Sequence, residues 1–196
     1  MIKVDFVKIG QLIDWLKKEH KIYVLRKEER TEAQIAASLF GVGNAIDSRF
    51  LSVDEFMRCA TTIGPFIYMP DGLNPMEYLS VLVHEVQHVF QFWQGTEYLK
   101  GGFGFWWLYL SQPEARCDYE VDANHAQFEF AFFAHGLIPS LEGLRFPLED
   151  GYLFDEEMKE FGKDQLDQRL TSSIKSKQPF TKSAKMILEY IKRNNW

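Results

Sequence analysis

The chain has 196 residues, a net charge of −6, and an aromatic-rich composition with 17 Phe and 5 Trp. That length fits one domain with a sizeable core, and the acidic balance argues against a general nucleic-acid binder. Two cysteines are too few for a disulfide framework, the first residues lack the apolar run of a signal peptide, and no run is long enough to span a bilayer. The expected setting is a reducing cytoplasm, or the inside of a larger particle, with no membrane contact.

Residues 8–20 read as an amphipathic helix whose stripe is Ile9, Leu12, Ile13 and Leu16. Residues 22–25 are a short strand candidate. Thr31-Glu32-Ala33-Gln34 is a capping box opening a second helix through about Phe40, which Gly41-Val42-Gly43-Asn44 ends. These glycines follow a helix and lack the further glycine and lysine of a phosphate loop. Ser52-Val53-Asp54-Glu55 opens a short helix to about Thr61. Residues 66–70 form a strand bounded by Pro65 and Pro70, since proline favours strand ends and edges. Asp71-Gly72 then turns the chain into the stretch that matters most.

Residues 81–90 read Val-Leu-Val-His-Glu-Val-Gln-His-Val-Phe, an apolar, helix-like run containing H-E-x-x-H. Residues four apart on an α-helix lie one turn above each other, so His84 and His88 can present two imidazoles to one point. Zinc takes imidazole nitrogen readily and is usually tetrahedral, so the pair supplies half of a Zn2+ shell. Glu85 sits at the edge of the same face. There a carboxylate can reach a zinc-bound water without becoming a ligand, and act as general base. Asn74-Pro75-Met76-Glu77 supplies an N-cap, a proline at the first helical position and a capping-box glutamate, and Gly95 is the expected stop. By helical periodicity Leu79, Leu82, Val86, Val89, Phe90 and Trp93 fall opposite the histidines. Ser80, Gln87 and Gln91 fall on the histidine side, which is expected to be polar and open.

Residues 101–110 read Gly-Gly-Phe-Gly-Phe-Trp-Trp-Leu-Tyr-Leu. They are either the wall or lid of a substrate pocket, or a connector that wedges aromatics between two helices. Ser111-Gln112-Pro113-Glu114 opens the next helix, which runs to His135 with Gly136 as its stop. On it Arg116, Cys117, Glu120, Asn124, Gln127 and Ala131 share one face, while Asp118, Asp122, His125 and Glu129 lie on another side, expected to be solvated. Residues 137–150 look like a loop, 156–170 and 182–193 like helices, and 172–181 like a polar, mobile linker.

Two histidines leave a zinc shell incomplete. Glu120, a carboxylate in a helix interior, is the candidate third ligand. Asn124, one turn on, can accept a hydrogen bond from the far nitrogen of a ligating histidine and so fix its tautomer. A His-His-Glu shell leaves the fourth position to water, the catalytic pattern. Three rivals stand beside this assignment: Cys117 in a more structural site, His125 as a ligand, and Glu120 as an ordinary surface glutamate.

The two motifs, His84-Glu85-Val86-Gln87-His88 and Glu120-Val121-Asp122-Ala123-Asn124, resemble those of the gluzincin metallopeptidases. They look most like the minimal, ImmA/IrrE-type forms associated with phage and stress, whose glutamate helix carries E-x-x-A-N or a close variant. The resemblance covers roughly residues 60–135, on two short motifs. It implies His84, His88 and Glu120 as metal ligands, Glu85 as general base and Asn124 behind a ligand. It also implies a strand edge that can hold substrate before the active-site helix, and residues 66–69 stand in that place. An oxyanion-stabilising group has no motif of its own: Tyr98, Tyr109, Arg116, His125 and Tyr152 are all candidates.

The expected fold is α+β and mostly helical, a single domain over residues 1–196. A zincin-like core at about 60–135 would hold the active-site helix, the glutamate helix and a small edge sheet. A helical and strand part at 1–59 and a helical part at 137–196 flank it. The expected function is that of a zinc metallopeptidase acting on a peptide or protein substrate, with no nucleic-acid partner. The alternatives are an inactive zincin scaffold serving as an interaction or structural protein, for instance of a phage, and an intracellular protease acting on one regulator.

Overall fold

A computed structural model describes residues 2–29, 57–98, 105, 108, 109, 111–136 and 154–196. The helix expected at 31–40, much of the one at 52–61, most of segment 101–110 and the loop at 137–150 lie outside the described residues. The helices are Phe6–His20 (α1), Pro75–Tyr98 (α2), Pro113–His135 (α3), Glu156–Ser176 (α4) and Lys182–Arg193 (α5). The strands are Tyr23–Arg26 (β1), Thr61–Ile63 (β2) and Phe66–Met69 (β3). Among the described residues the fold is therefore mostly helical with one small sheet, the α+β class expected.

The stripe of α1 buries Ile9, Leu12 and Leu16, and Asp5 caps its start by accepting the Lys8 N–H at 2.9 Å. The sheet has the order β1-β3-β2, with β1 parallel and β2 antiparallel to β3. β3 is thus the central strand, which corrects the expectation that residues 66–69 offer a free edge to substrate. Pro65 and Pro70 flank the ladder rather than interrupt it, and the Pro65 carbonyl accepts the Tyr23 N–H at 2.9 Å. The helix expected to reach Thr61 ends at Arg58, because Thr61-Thr62-Ile63 is a β-branched run that pairs with β3. Behind it Lys27 is fully buried, its ammonium donating to the Cys59 carbonyl at 2.8 Å and to Thr61 Oγ1 at 2.7 Å. Burial pushes its pKa down to about 8.

The start of α2 is the capping box in atomic detail. Asn74 Oδ1 accepts the Met76 and Glu77 N–H groups, and Glu77 accepts the Asn74 N–H, each at 3.0 Å. The helix runs past Gly95 to Tyr98. One glycine costs a helix interior only about 1 kcal/mol, too little to stop a helix packed along its length. Leu79, Leu82, Val83, Val86 and Val89 are fully buried in the main core with α1, the sheet and α5. The opposite, polar face is buried as well: His84, Glu85, Gln87, His88 and Gln91 are each less than 10% exposed. It was expected to be open, but α3 packs over it.

α3 has the expected bounds, with Pro113 in its first turn and Gly136 as a left-handed cap at φ 66°. Its far side builds a second core with α4 from Cys117, Val121, Phe128, Leu166 and Leu170. Two expectations fail on that side. His125 and Glu129 are buried rather than solvated, and residues 172–176 continue α4 rather than starting a linker. Both have one cause. Fully buried Glu129 accepts from Ser173 Oγ at 2.6 Å, from the Phe180 N–H at 2.6 Å, and from the Thr181 N–H and hydroxyl at 2.9 and 2.6 Å. His125 Nε2 lies 2.7 Å from the same Ser173 hydroxyl. This carboxylate ties the end of α4 to the start of α5, overriding the weak local preference of Thr171-Ser172-Ser173 for helix.

Replacing Glu129 by alanine leaves several buried donors unpaired, each worth ~1–3 kcal/mol. Denaturant unfolding of Glu129→Ala should show a loss of about 3 kcal/mol or more. A loss under ~1 kcal/mol would mean that this carboxylate does not hold the α4–α5 junction.

Candidate metal centre

The capped start of α2 and its apolar stripe hold His84 and His88 one turn apart, facing α3, and α3 answers with Glu120. The two Nε2 atoms are 3.1 Å apart. His84 Nε2 lies 3.6 Å from Glu120 Oε2, and His88 Nε2 lies 3.5 Å from Glu120 Oε1. The three side chains are buried and offer ligand atoms that all lie within 4.8 Å of one another, close enough to hold a metal ion. A tetrahedral ion with bonds of about 2.0–2.1 Å separates its ligands by about 3.3 Å. The observed spacings bracket that value, with each imidazole nearest a different oxygen of Glu120.

The electrostatics point the same way. Glu120 Oε1 accepts the Tyr109 hydroxyl at 2.6 Å, whereas the buried Oε2 has no hydrogen-bond partner among the described residues. Burial pushes the Glu120 carboxyl up, but the imidazoles of His88 and His84 and the Tyr109 bond outweigh it and bring the pKa down to about 2. Burial likewise lowers His84, yet the carboxylates of Glu120 and Glu85 prevail and its pKa is raised. A buried carboxylate oxygen without a donor, beside two imidazole nitrogens, is a donor set that fits a divalent cation.

Glu85 is positioned from the sheet. Thr62 Oγ1 of β2 donates to Glu85 Oε2 at 2.7 Å and lies 3.2 Å from the Glu85 carbonyl. Asn124 is buried, but its amide turns back to donate to the Glu120 carbonyl at 2.8 Å. The role expected of it, accepting from the far nitrogen of a ligating histidine, falls at His88 to Gln91, whose Oε1 is 2.7 Å from Nδ1. Of the rival ligands, Cys117 faces the second core and reaches the Met158 carbonyl at 3.7 Å, with burial pushing its thiol up to about 11. His125 belongs to the Ser173–Glu129 cluster. Glu120 is fully buried rather than a surface residue.

Among the oxyanion candidates, Tyr109 reaches the site through Glu120. Arg116 donates to the Tyr109 carbonyl at 3.2 Å and lies over the Phe154 ring. The side chains of Tyr98 and Tyr152 lie outside the described residues. In the aromatic segment, buried Phe105 sits edge-on to Phe92 of α2 and against Tyr119 of α3, the wedge between helices. Sequence reasoning placed Gln91 on the histidine face without a role and passed over Thr62. The i, i+3 spacing from His88 to Gln91 was the one local signal available.

Comparison with family models, curated proteins and solved structures finds no match to this chain. Function therefore has to be read from the site itself. Among the described residues, no helix is long and apolar enough to cross a membrane.

One metal per chain is expected on His84, His88 and Glu120. Elemental analysis should find His88→Ala and Glu120→Ala each stripped of most of it, with helicity by circular dichroism retained. Full stoichiometry and affinity in Glu120→Ala would remove the third ligand. Imidazole binds metal only when neutral, and His84 holds its proton more tightly than free imidazole. Uptake should accordingly begin to fall, on acidification, above the ordinary value of ~6.5. Uptake unchanged to well below that value would contradict an imidazole-based site.

Proposed function

We propose that this chain is a zinc-dependent peptidase with a gluzincin-like core. The observation that carries the reading is the convergence of two α2 imidazoles and one α3 carboxylate on a single buried point, with Glu85 next in sequence and anchored by Thr62. Two nitrogens and one oxygen without a thiolate favour a catalytic zinc over a structural one, because the fourth position stays open. When bound, the metal supplies Lewis acidity that polarises a carbonyl and eases deprotonation of water. Glu85 then takes the proton from the attacking water and returns it to the leaving amine. Thr62 holds the Glu85 carboxylate through one oxygen and leaves the other for that exchange. Tyr109 spends its one hydroxyl proton on Glu120 Oε1, so it holds the carboxylate ligand in place rather than the developing oxyanion. The substrate is a peptide or protein chain.

Glu85→Gln is nearly isosteric but cannot take the proton. It should keep its zinc and its fold while cleavage falls by at least ~10²-fold. Denatured protein mixtures and peptide libraries, read by mass spectrometry for new termini, supply the assay. Equal cleavage by both proteins would remove Glu85 as the base. A zinc-loaded wild type that cleaves nothing across broad libraries would overturn the peptidase reading in favour of a binding scaffold.

A further inference from the structure

The far side of His88 carries a chain of hydrogen bonds whose direction the backbone sets at both ends. Gln91 Oε1 is 2.7 Å from His88 Nδ1, and Gln91 Nε2 is 3.0 Å from the Tyr119 carbonyl and 3.1 Å from Asp122 Oδ2. The same Oδ2 accepts Gln87 Nε2 at 2.6 Å, while Arg169 of α4 donates to Oδ1 at 3.2 Å. Gln87 Oε1 in turn accepts the Ser183 N–H at 3.2 Å, at the start of α5.

Donor and acceptor counting leaves one arrangement. A backbone carbonyl only accepts, so the Gln91 NH2 group must face Tyr119. A backbone N–H only donates, so Gln87 must offer its oxygen to Ser183 and its NH2 group to Asp122. Asp122 accepts from two amides and a guanidinium. Gln91 Oε1 therefore faces His88, and only a protonated Nδ1 satisfies it. Reversing the amide would set its oxygen against both the Tyr119 carbonyl and the Asp122 carboxylate. Gln91 and His88 are buried, so water does not offer an alternative partner cheaply.

We propose that Gln91, locked by the Tyr119 carbonyl and Asp122, is the positioning residue that holds neutral His88 in the Nδ1–H tautomer and aims its Nε2 lone pair at the metal point. Free histidine favours the opposite tautomer, so the protein imposes this one. Its consequence for metal affinity rests on the metal-site reading above; the tautomer itself is a property of the metal-free chain. Asp122 makes the lock span three helices, joining the ligand on α2 to α3 and, through Arg169, to α4.

The test uses full-length protein labelled with 15N-histidine, stripped of metal and held well above the usual imidazole range. Long-range proton–nitrogen correlation reads the tautomer, with His88 assigned by its loss in His88→Ala. Wild type should show Nδ1–H at His88. Gln91→Leu should shift it towards Nε2–H and weaken zinc binding by ~10–100-fold, as losses behind a ligand do. Nε2–H in wild type overturns the proposal even where a variant fails to fold. An unchanged tautomer and affinity in Gln91→Leu overturns it too. Nδ1–H in a wild type that takes up no zinc supports the lock and removes the metal reading instead.

Discussion

The site depends on burying one carboxylate. Glu120 is fully out of water between two helices, and an isolated ionised carboxylate there would be far too costly to keep. Its two oxygens are handled differently: one takes the Tyr109 hydroxyl, the other faces His84 with no donor at hydrogen-bond distance among the described residues. Positive charge settles such a group, whether a proton shared with an imidazole or a metal ion on all three side chains. Breaking the cluster by removing one partner leaves the others stranded. The α2–α3 interface is thus polar at its centre, although apolar cores lie on both outer sides.

That polar centre needs rigid walls, and they come from secondary structure rather than loops. Reciprocal capping at Asn74 and Glu77 fixes the start of α2, and its apolar stripe fixes the rotation about its axis. α3 is clamped from behind by the second core, and across the interface Gln127 bonds Ser80 at 3.1 Å. The carboxylate next to the first histidine is steadied from β2, so the sheet serves the site through Thr62 without donating a ligand. Glu129 performs an analogous task at the far end, closing α4 onto α5, and α5 returns the favour where the Ser183 N–H holds Gln87.

What was legible in the sequence was local. Helical spacing put His84 and His88 on one face, capping residues marked the start of α2 and both ends of α3, and the interior place of Glu120 on its helix made it the candidate third ligand, which the fold brings beside the two histidines. What was not legible was what each polar face meets. Thr62 and Glu85 are 23 positions apart, and Glu129 and Thr181 are 52 apart. No periodicity links such residues. Hence the sequence predicts an open histidine face, a solvated Glu129 and a linker at residues 172–181, although each is settled by a partner from another helix. Asn124 was assigned by its distance from Glu120 along the helix, but its short amide folds back onto its own backbone, and the longer Gln91 reaches the imidazole instead.

The central claim is that three named side chains, and no thiolate, make one metal site. X-ray absorption at the zinc edge, on protein loaded with one equivalent, tests it most directly. The account predicts a shell of nitrogen and oxygen only, at about 2.0–2.1 Å, with the multiple-scattering pattern of two imidazoles. A sulfur scatterer at about 2.3 Å, or a shell without imidazole scattering, would contradict it.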